Sequence, residues 1–189
     1  MKEIEKLELV KEFNKTFGTE NQTLEQKKAY FEEELLEYWN GVQLCIHCNE
    51  KDNPDKALEK GYKEVLDALV DMKYVLFGIM LKEGLEPTED KTYTDFPFVN
   101  CNDYLDKREA FDFISTYMDK NDFKQANNII NYLLATHGLR KYYDAAFVEV
   151  HNSNMSKLDA NGNVLRGKDN KILKSETYFK PNLYKILGY

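Results

Sequence analysis

The chain has 189 residues and a formal net charge of −7, which disfavours non-specific binding to nucleic acid. Hydrophobic residues make up 42% of the sequence, enough for a single domain with a substantial core. No run of about 18 apolar residues predicts a membrane span, and the N-terminus MKEIEKLELV lacks the apolar stretch of a signal peptide. We therefore expect a cytoplasmic protein with reduced cysteines and with neither a membrane nor a nucleic-acid partner.

The first 84 residues show the apolar periodicity of helices, which predicts helices at 4–17, 24–45 and 54–84. Gly18 suits a C-terminal cap of the first helix. Asn53 suits the N-cap of the third helix, and Pro54 suits its first position.

Residues 85–104 mix proline, threonine and aromatic residues without a helical period, which predicts an ordered loop. Further helices are predicted at 105–120, 122–137 and 140–151. The first two of these would form a helical hairpin that turns at Asn121-Asp122, and Gly138 would cap its second helix.

The C-terminal residues 156–189 differ in charge from the rest of the chain. They contain seven Lys or Arg and three acids, a net +4, whereas the remaining residues carry −11. Asn161-Gly162 and the alternation after it predict a short hairpin or irregular turns. Apolar residues such as Leu183 and Tyr184 indicate an ordered tail rather than a disordered, solubilising one.

The third predicted helix carries the carboxylates of Glu64, Asp67 and Asp71 on one narrow stripe. The rest of this helix is apolar on nearly every side, which is typical of a buried helix. An uncompensated buried ion destabilises a protein by several kcal/mol, so we expect a cationic group opposite the stripe. The alternative is a solvated acidic edge, for which the apolar positions leave little room.

The second predicted helix carries another acidic cluster, formed by Glu33, Glu34 and Glu37 on one side. Two acidic helices that face each other across a divalent cation would satisfy both clusters. Carboxylates without Cys or His at ligand spacing favour Mg²⁺, with Mn²⁺ as the alternative. Because two helices cannot bury this much apolar surface alone, we also predict a homodimer or homotetramer that completes the bundle.

A zinc site is the alternative interpretation of the segment Cys45-Ile46-His47-Cys48. A structural zinc site needs four ligands, usually in two spaced pairs. Only Cys101 and two distant histidines remain to complete one. We therefore favour a helix end whose thiols pack against neighbouring side chains.

Several segments together resemble the all-α nucleoside triphosphate pyrophosphohydrolases, the MazG-like and phosphoribosyl-ATP pyrophosphohydrolase-like superfamily. Residues 33–37 (EELLE) match the EExxE half of its signature, and residues 64–67 (EVLD) match the ExxD half. FVEVHNSNMSKL at 147–158 resembles a VHxSNMSK segment of the phage and bacterial branches. KILK at 171–174 and YFKP at 178–181 resemble their closing segment.

The resemblance covers residues 7–84 and 140–183, with two departures. Many relatives have a glutamate three residues before the metal-binding aspartate, but Ala68 stands three residues before Asp71. Either Glu64 and Asp67 form the pair, or Asp67 replaces that glutamate four residues before Asp71. The other departure is an apparent insertion at about 85–139, for which a lid and an oligomer contact are both open.

The resemblance implies an all-α MazG-like bundle that hydrolyses a (deoxy)nucleoside triphosphate to the monophosphate and pyrophosphate with Mg²⁺. It implies metal ligands at Glu34, Glu37, Glu64, Asp67 and Asp71, and catalytic roles for Glu33, Glu34 and Glu37. Glu33 would be a further ligand or the general base. The candidate substrate contacts are Asn154, Lys157, Lys174, Tyr178 and His151.

Three alternatives remain at the level of function. A phosphoribosyl-ATP pyrophosphohydrolase belongs to the same superfamily, but the SNMSK segment favours nucleotide-pool house-cleaning. A non-catalytic nucleotide-binding or partner-binding helical module would bind nucleotide without releasing pyrophosphate. A di-iron carboxylate bundle needs Glu-x-x-His on two helices, and none of His47, His137 and His151 has a glutamate three residues before it.

Overall fold

Helices account for most of the chain in the computed structural model, which describes residues 1–88, 104–168 and 171–189. The helices in these ranges are α1 (Glu3–Phe17), α2 (Leu24–Ile46), α3 (Pro54–Lys82), α4 (Tyr104–Asp119), α5 (Phe123–Thr136), α6 (Arg140–Met155) and α7 (Leu183–Leu187). The protein is therefore all-α, as predicted. No helix in the described ranges is long and apolar enough to cross a membrane.

Local sequence signals set most of the helix ends. Gly18 adopts a left-handed conformation (φ 60°) and donates its N–H to the carbonyl of Asn14, which ends α1. Thr23 and Gln26 form a reciprocal capping box at the start of α2. Asn53 accepts a hydrogen bond from the N–H of Lys56 at the start of α3. The predicted caps at Gly18 and Asn53 are confirmed.

Two helices differ from the sequence prediction. Helix α6 continues to Met155, four residues beyond the predicted end at His151, because the polar residues after His151 remain compatible with a helix. The short helix α7 was not predicted; Asn182 caps its first turn, and Leu183 is buried. Most of the predicted loop at 85–104 lies outside the described residues, and so does Cys101.

Helices α2 and α3 run antiparallel and approach each other closely through two glycines. A Cβ atom on Gly61 would lie 2.5 Å from Sγ of Cys45, and a Cβ on Gly41 would lie 2.9 Å from the backbone nitrogen of Val65. Gly41 thus pairs with Val65, and Cys45, four residues later on α2, pairs with Gly61, four residues earlier on α3. These two close contacts fix the antiparallel register of the helices. The same contact packs the Cys45 thiol against a helix, in line with the non-zinc interpretation.

Helix α3 is enclosed by other helices of the same chain, with α1, α2, α5 and α6 packed around it. Most of its apolar side chains from Val65 onward are fully buried, among them Leu66, Leu69 and Phe77. Apolar residues of the α4–α5 hairpin, such as Ile114 and Ile130, belong to the same core. The described part of the predicted insertion thus contributes to the core, and the predicted burial of α3 is confirmed.

A buried ion network ties α1 to α3 and α5. Lys73 has no exposed surface, and its ammonium donates to Glu3, to Asn127 and, at 2.8 Å, to Oδ1 of Asn131. Lys6 donates to Oε1 of the same glutamate at 2.9 Å. Because each buried charge has an opposite charge within hydrogen-bond distance, the network avoids the large penalty of an isolated buried ion.

The described part of the C-terminal tail is ordered by contacts with α6. Isolated antiparallel bridges pair Leu158 with Val164 and Arg166 with Ile172, which agrees with the predicted short hairpin. The turn contains Gly162 at φ 80°. Farther along, the hydroxyl of Ser153 donates to the carbonyl of Phe179 at 2.8 Å and holds the tail against α6.

We predict that Gly41→Ala lowers the free energy of unfolding by about 1–3 kcal/mol, because its methyl group would press on the backbone of α3. Gly78→Ala is the matched control, since the nearest atom would lie 3.5 Å from its Cβ. That variant should keep or raise the stability, because alanine favours a helix. Urea denaturation of the two variants measures the difference, and equal effects would contradict the proposed helix contact.

Candidate active site

A cleft of about 890 Å³ opens between the α2–α3 pair, the N-terminal helix and the C-terminal tail. Helices α2 and α3 supply one wall, which carries the acids. The end of α6 and the tail supply the opposite wall, which carries lysines, an arginine and tyrosines. None of the described residues of the predicted insertion lines this cleft. The volume lies in the usual range of small-molecule sites.

All six predicted acids line the cleft: Glu33, Glu34, Glu37, Glu64, Asp67 and Asp71. The antiparallel register of α2 and α3 brings the two clusters together. Gly41 of α2 lies against Val65 of α3, so the acids that precede Gly41 lie beside those around and after Val65. Glu34 and Asp71 act on each other electrostatically, and Glu37 acts on Asp67 and Glu64. The structure therefore joins two acidic clusters that lie 26 residues apart in the sequence.

The crowding of these carboxylates changes their acidity. Burial, followed by the charges of Glu37 and Asp67, raises the pKa of Glu34 from 4.5 to about 7. Burial and the charge of Glu34 raise the pKa of Asp71 well above its ordinary value. The pKa of Glu37 is raised by burial and then by Asp67. The cluster thus retains protons or attracts cations near neutral pH.

Two lysines partly compensate the acids. The ammonium of Lys63 lies 2.6 Å from Oδ2 of Asp67 and 3.5 Å from Oε2 of Glu64. Lys157 acts electrostatically on Asp71 and Glu34 from the opposite wall. A cation opposite the acids was expected, and the i,i+4 spacing of Lys63 to Asp67 is a recognisable ion-pair signal that could have identified it.

The chemistry of the acids fits a hard divalent cation, because carboxylate oxygens are its preferred ligands and the lysines relieve their mutual repulsion only in part. In the side-chain arrangement found for the described residues, however, no three His, Cys, Asp or Glu groups stand close enough to hold a metal ion. Lys63 engages Asp67 instead. Binding of a metal there would require the carboxylates to rotate toward one another and Lys63 to release Asp67.

The opposite wall brings together four of the five predicted substrate residues: Asn154, Lys157, Lys174 and Tyr178. The ammonium of Lys157 donates to Oδ1 of Asn154 at 2.6 Å, and that of Lys174 lies 4.8 Å from the centre of the Tyr178 ring. The sequence analysis missed Arg166, Lys171 and Lys180, which also line the cleft. Their density in the basic tail was the available signal.

The fifth predicted substrate residue, His151, does not line the cleft. It is 6% exposed, and its Nδ1 lies 3.0 Å from the hydroxyl oxygen of Tyr74, which does line the cleft. Burial lowers the pKa of His151. His151 thus lies behind Tyr74 and contacts the hydroxyl of that side chain. Phe31 is fully buried and the partly buried Trp39 packs on Phe111, so neither aromatic side chain lines the cleft.

Comparisons of this chain with protein-family profiles, with curated proteins and with solved structures find no match.

We predict that the metal-free protein loses stability between pH 4.5 and about 7. In this range the folded protein keeps a proton on Glu34 that the unfolded chain has released, so the free energy of unfolding falls as the pH rises. Glu34→Gln should show a shallower fall in thermal melting with EDTA. Glu32→Gln, at an exposed position outside the cleft, is the matched control. An unchanged slope in Glu34→Gln would contradict the electrostatic account.

Proposed function

We propose that the chain hydrolyses a (deoxy)nucleoside triphosphate to the monophosphate and pyrophosphate, with Mg²⁺ or Mn²⁺. One observation carries the proposal: the cleft has an acidic wall of six carboxylates and a basic wall that includes Lys157 and Lys174. A metal–polyphosphate complex is complementary to both walls, since the metal neutralises the acids and the lysines neutralise the phosphates. The motif resemblance of residues 33–37 and 64–67 supports the same activity.

Each residue has a role that follows from its position. Glu34, Glu37, Glu64, Asp67 and Asp71 would hold the metal. When bound, the metal polarises the phosphoryl group and lowers the pKa of coordinated water. Glu33 is exposed at the edge of the cluster, where its carboxylate can accept a proton from the attacking water. Lys157 and Lys174 would bind the leaving pyrophosphate as its negative charge develops.

The sugar would be held nearer Asn154 and Tyr178, which line the same wall of the cleft as the lysines. His151 would act through its contact with Tyr74 rather than by touching the nucleotide.

The MazG-like arrangement of the bundle and a homodimer or homotetramer are part of the same proposal. The antiparallel pairing of two acidic helices supports the MazG-like arrangement. A homodimer or homotetramer would need a surface other than α3, because helices of the same chain already cover that helix. Light scattering at micromolar concentration tests the assembly, and a monomer with intact helices would contradict it.

The activity is tested with a panel of ribonucleoside and deoxyribonucleoside triphosphates and phosphoribosyl-ATP in Mg²⁺, scored for pyrophosphate and orthophosphate separately. Pyrophosphate release with at least one nucleotide is expected, and EDTA should abolish it. Nucleotide binding without release of either product would instead favour the non-catalytic module. Orthophosphate as the first product would contradict attack between the α and β phosphates.

We predict that Asp71→Asn lowers kcat/KM at least tenfold, while the metal-free protein melts at a higher temperature than the wild type. The amide keeps the shape of the side chain and removes one member of a mutually repelling set. Asp52→Asn, an exposed residue before α3, makes the same change of charge outside the cleft and should alter neither quantity. Full activity together with a lower melting temperature would assign Asp71 a purely structural role.

We predict that Lys174→Met reduces kcat/KM about tenfold to a hundredfold, the usual effect of losing a hydrogen bond to a charged group. Methionine keeps most of the apolar stem and removes the ammonium, which lies 4.8 Å from the centre of the Tyr178 ring. Affinity for the monophosphate product should change much less. The control is Lys185→Met, because Lys185 faces a separate groove beside α6. Equal small effects at both positions would mean that the tail supplies only diffuse charge.

A further inference from the structure

Lys27, at the start of α2, is a mostly buried lysine whose ammonium has no hydrogen-bond or ion-pair partner among the described residues. Its side chain is 4% exposed and lines the cleft. Within the part of the chain that the structure describes, no acidic group compensates its charge, and the like charge of Lys82 opposes it. A buried ammonium normally has a carboxylate or several acceptors around it, as Lys73 does in the core. The missing acceptor at Lys27 therefore points to a ligand.

A second hydrogen-bond donor lies beside Lys27. Asn14 is 7% exposed, and its Oδ1 accepts a hydrogen bond from the Thr19 hydroxyl at 2.7 Å, which leaves its Nδ2 to donate elsewhere. Nζ of Lys27 lies 3.5 Å and Nδ2 of Asn14 lies 3.8 Å from the point where Gly78 would carry a Cβ. The two donors thus converge on one point of the cleft lining, where residue 78 has no side chain.

The distance from this point to the acids suits a nucleoside. Lys27 precedes Glu34 by seven residues on α2, and Gly78 follows Asp71 by seven residues on α3. Seven residues are about two helical turns, or about 10 Å, and keep both positions on the same side of their helices. A ligand with phosphates at the acids would extend its base into the space between Lys27 and Asn14.

We propose that Lys27, Asn14 and Gly78 form a base-binding subsite that selects a nucleobase with a carbonyl oxygen over adenine. A carbonyl oxygen has two lone pairs and accepts from both donors. Adenine offers ring nitrogens with one lone pair each and an amino group that donates. One of the two protein donors would then face another donor and lose its hydrogen bond. The subsite depends on the proposed function in one respect, namely that the phosphates of the nucleotide lie at the acids.

A second phosphate group fits the space less well than a carbonyl. The side chain of Val10 lies 3.9 Å from the Gly78 Cβ position, so part of the lining is apolar. A phosphate carries more than one negative charge, and a single lysine and one amide would not replace its hydration. A neutral carbonyl needs only the two donors that are present.

The test measures binding of deoxynucleoside monophosphates, so it does not depend on hydrolysis. Titration calorimetry with Mg²⁺ compares dCMP, dGMP, dTMP and dUMP with dAMP on the wild type, Lys27→Met and Gly78→Ala. At least one of the first four should bind the wild type about tenfold or more tightly than dAMP. Lys27→Met removes the ammonium, and Gly78→Ala fills the space; each should reduce that preference at least threefold.

Stability separates loss of the subsite from loss of the fold. Both variants should melt no lower than the wild type, because Lys27→Met removes an unpaired buried charge and the Gly78 methyl meets only ordinary contacts. Lys15→Met, an exposed lysine outside the cleft, is the matched control and should keep the preference. Inorganic pyrophosphate should bind the wild type and Lys27→Met equally.

Four results would overturn the subsite. The first two are equal binding of all five monophosphates and no measurable binding of any of them at millimolar concentration. The third is a base preference that is unchanged in both variants. The fourth is a loss of pyrophosphate affinity in Lys27→Met that is as large as its loss of base preference. None of them bears on pyrophosphate release from triphosphates. Conversely, a base preference that depends on Lys27 in a protein that releases no pyrophosphate would support the subsite and contradict the proposed hydrolysis.

Discussion

The close antiparallel contact between α2 and α3 is the constraint on which the cleft depends. Gly41 and Gly61 have no room for a side chain, so the two helices meet at a fixed register. That register carries the acids of α2 to those of α3, and it also sets Lys27 beside Gly78 two turns away. One packing contact therefore determines both the electrostatics of the acidic wall and the length of the site.

The chain contains two groups of poorly exposed charges that differ in how they are compensated. Around Lys73, every charge has an opposite charge or an amide oxygen within hydrogen-bond distance, and the network joins three helices. Around Glu34, carboxylates outnumber the two nearby lysines, and at Lys27 a cation has no partner among the described residues. Such imbalance weakens the free protein and is relieved when a ligand of complementary charge binds.

Sequence periodicity predicted the helices and their caps well, because these depend on neighbouring residues. The acidic residues were also recognisable as two clusters, and their convergence followed from pairing two helices. Contacts between distant segments could not be predicted in this way. The residues near Lys27 in the sequence do not show whether an acid will lie against it in the fold. The segment around His151 does not reveal that Tyr74 lies between it and the cleft. The i,i+4 pairing of Lys63 with Asp67 was visible and was overlooked.

The central claim is that the paired acids of α2 and α3 form a site for a divalent cation. Electron paramagnetic resonance of Mn²⁺ measures this directly, since the free ion gives a strong signal that decreases on binding. We expect the wild type to bind Mn²⁺, and Glu34→Gln and Asp71→Asn each to weaken binding at least tenfold, with the double variant little worse than either. Equal Mn²⁺ binding by the wild type and both single variants would contradict the account.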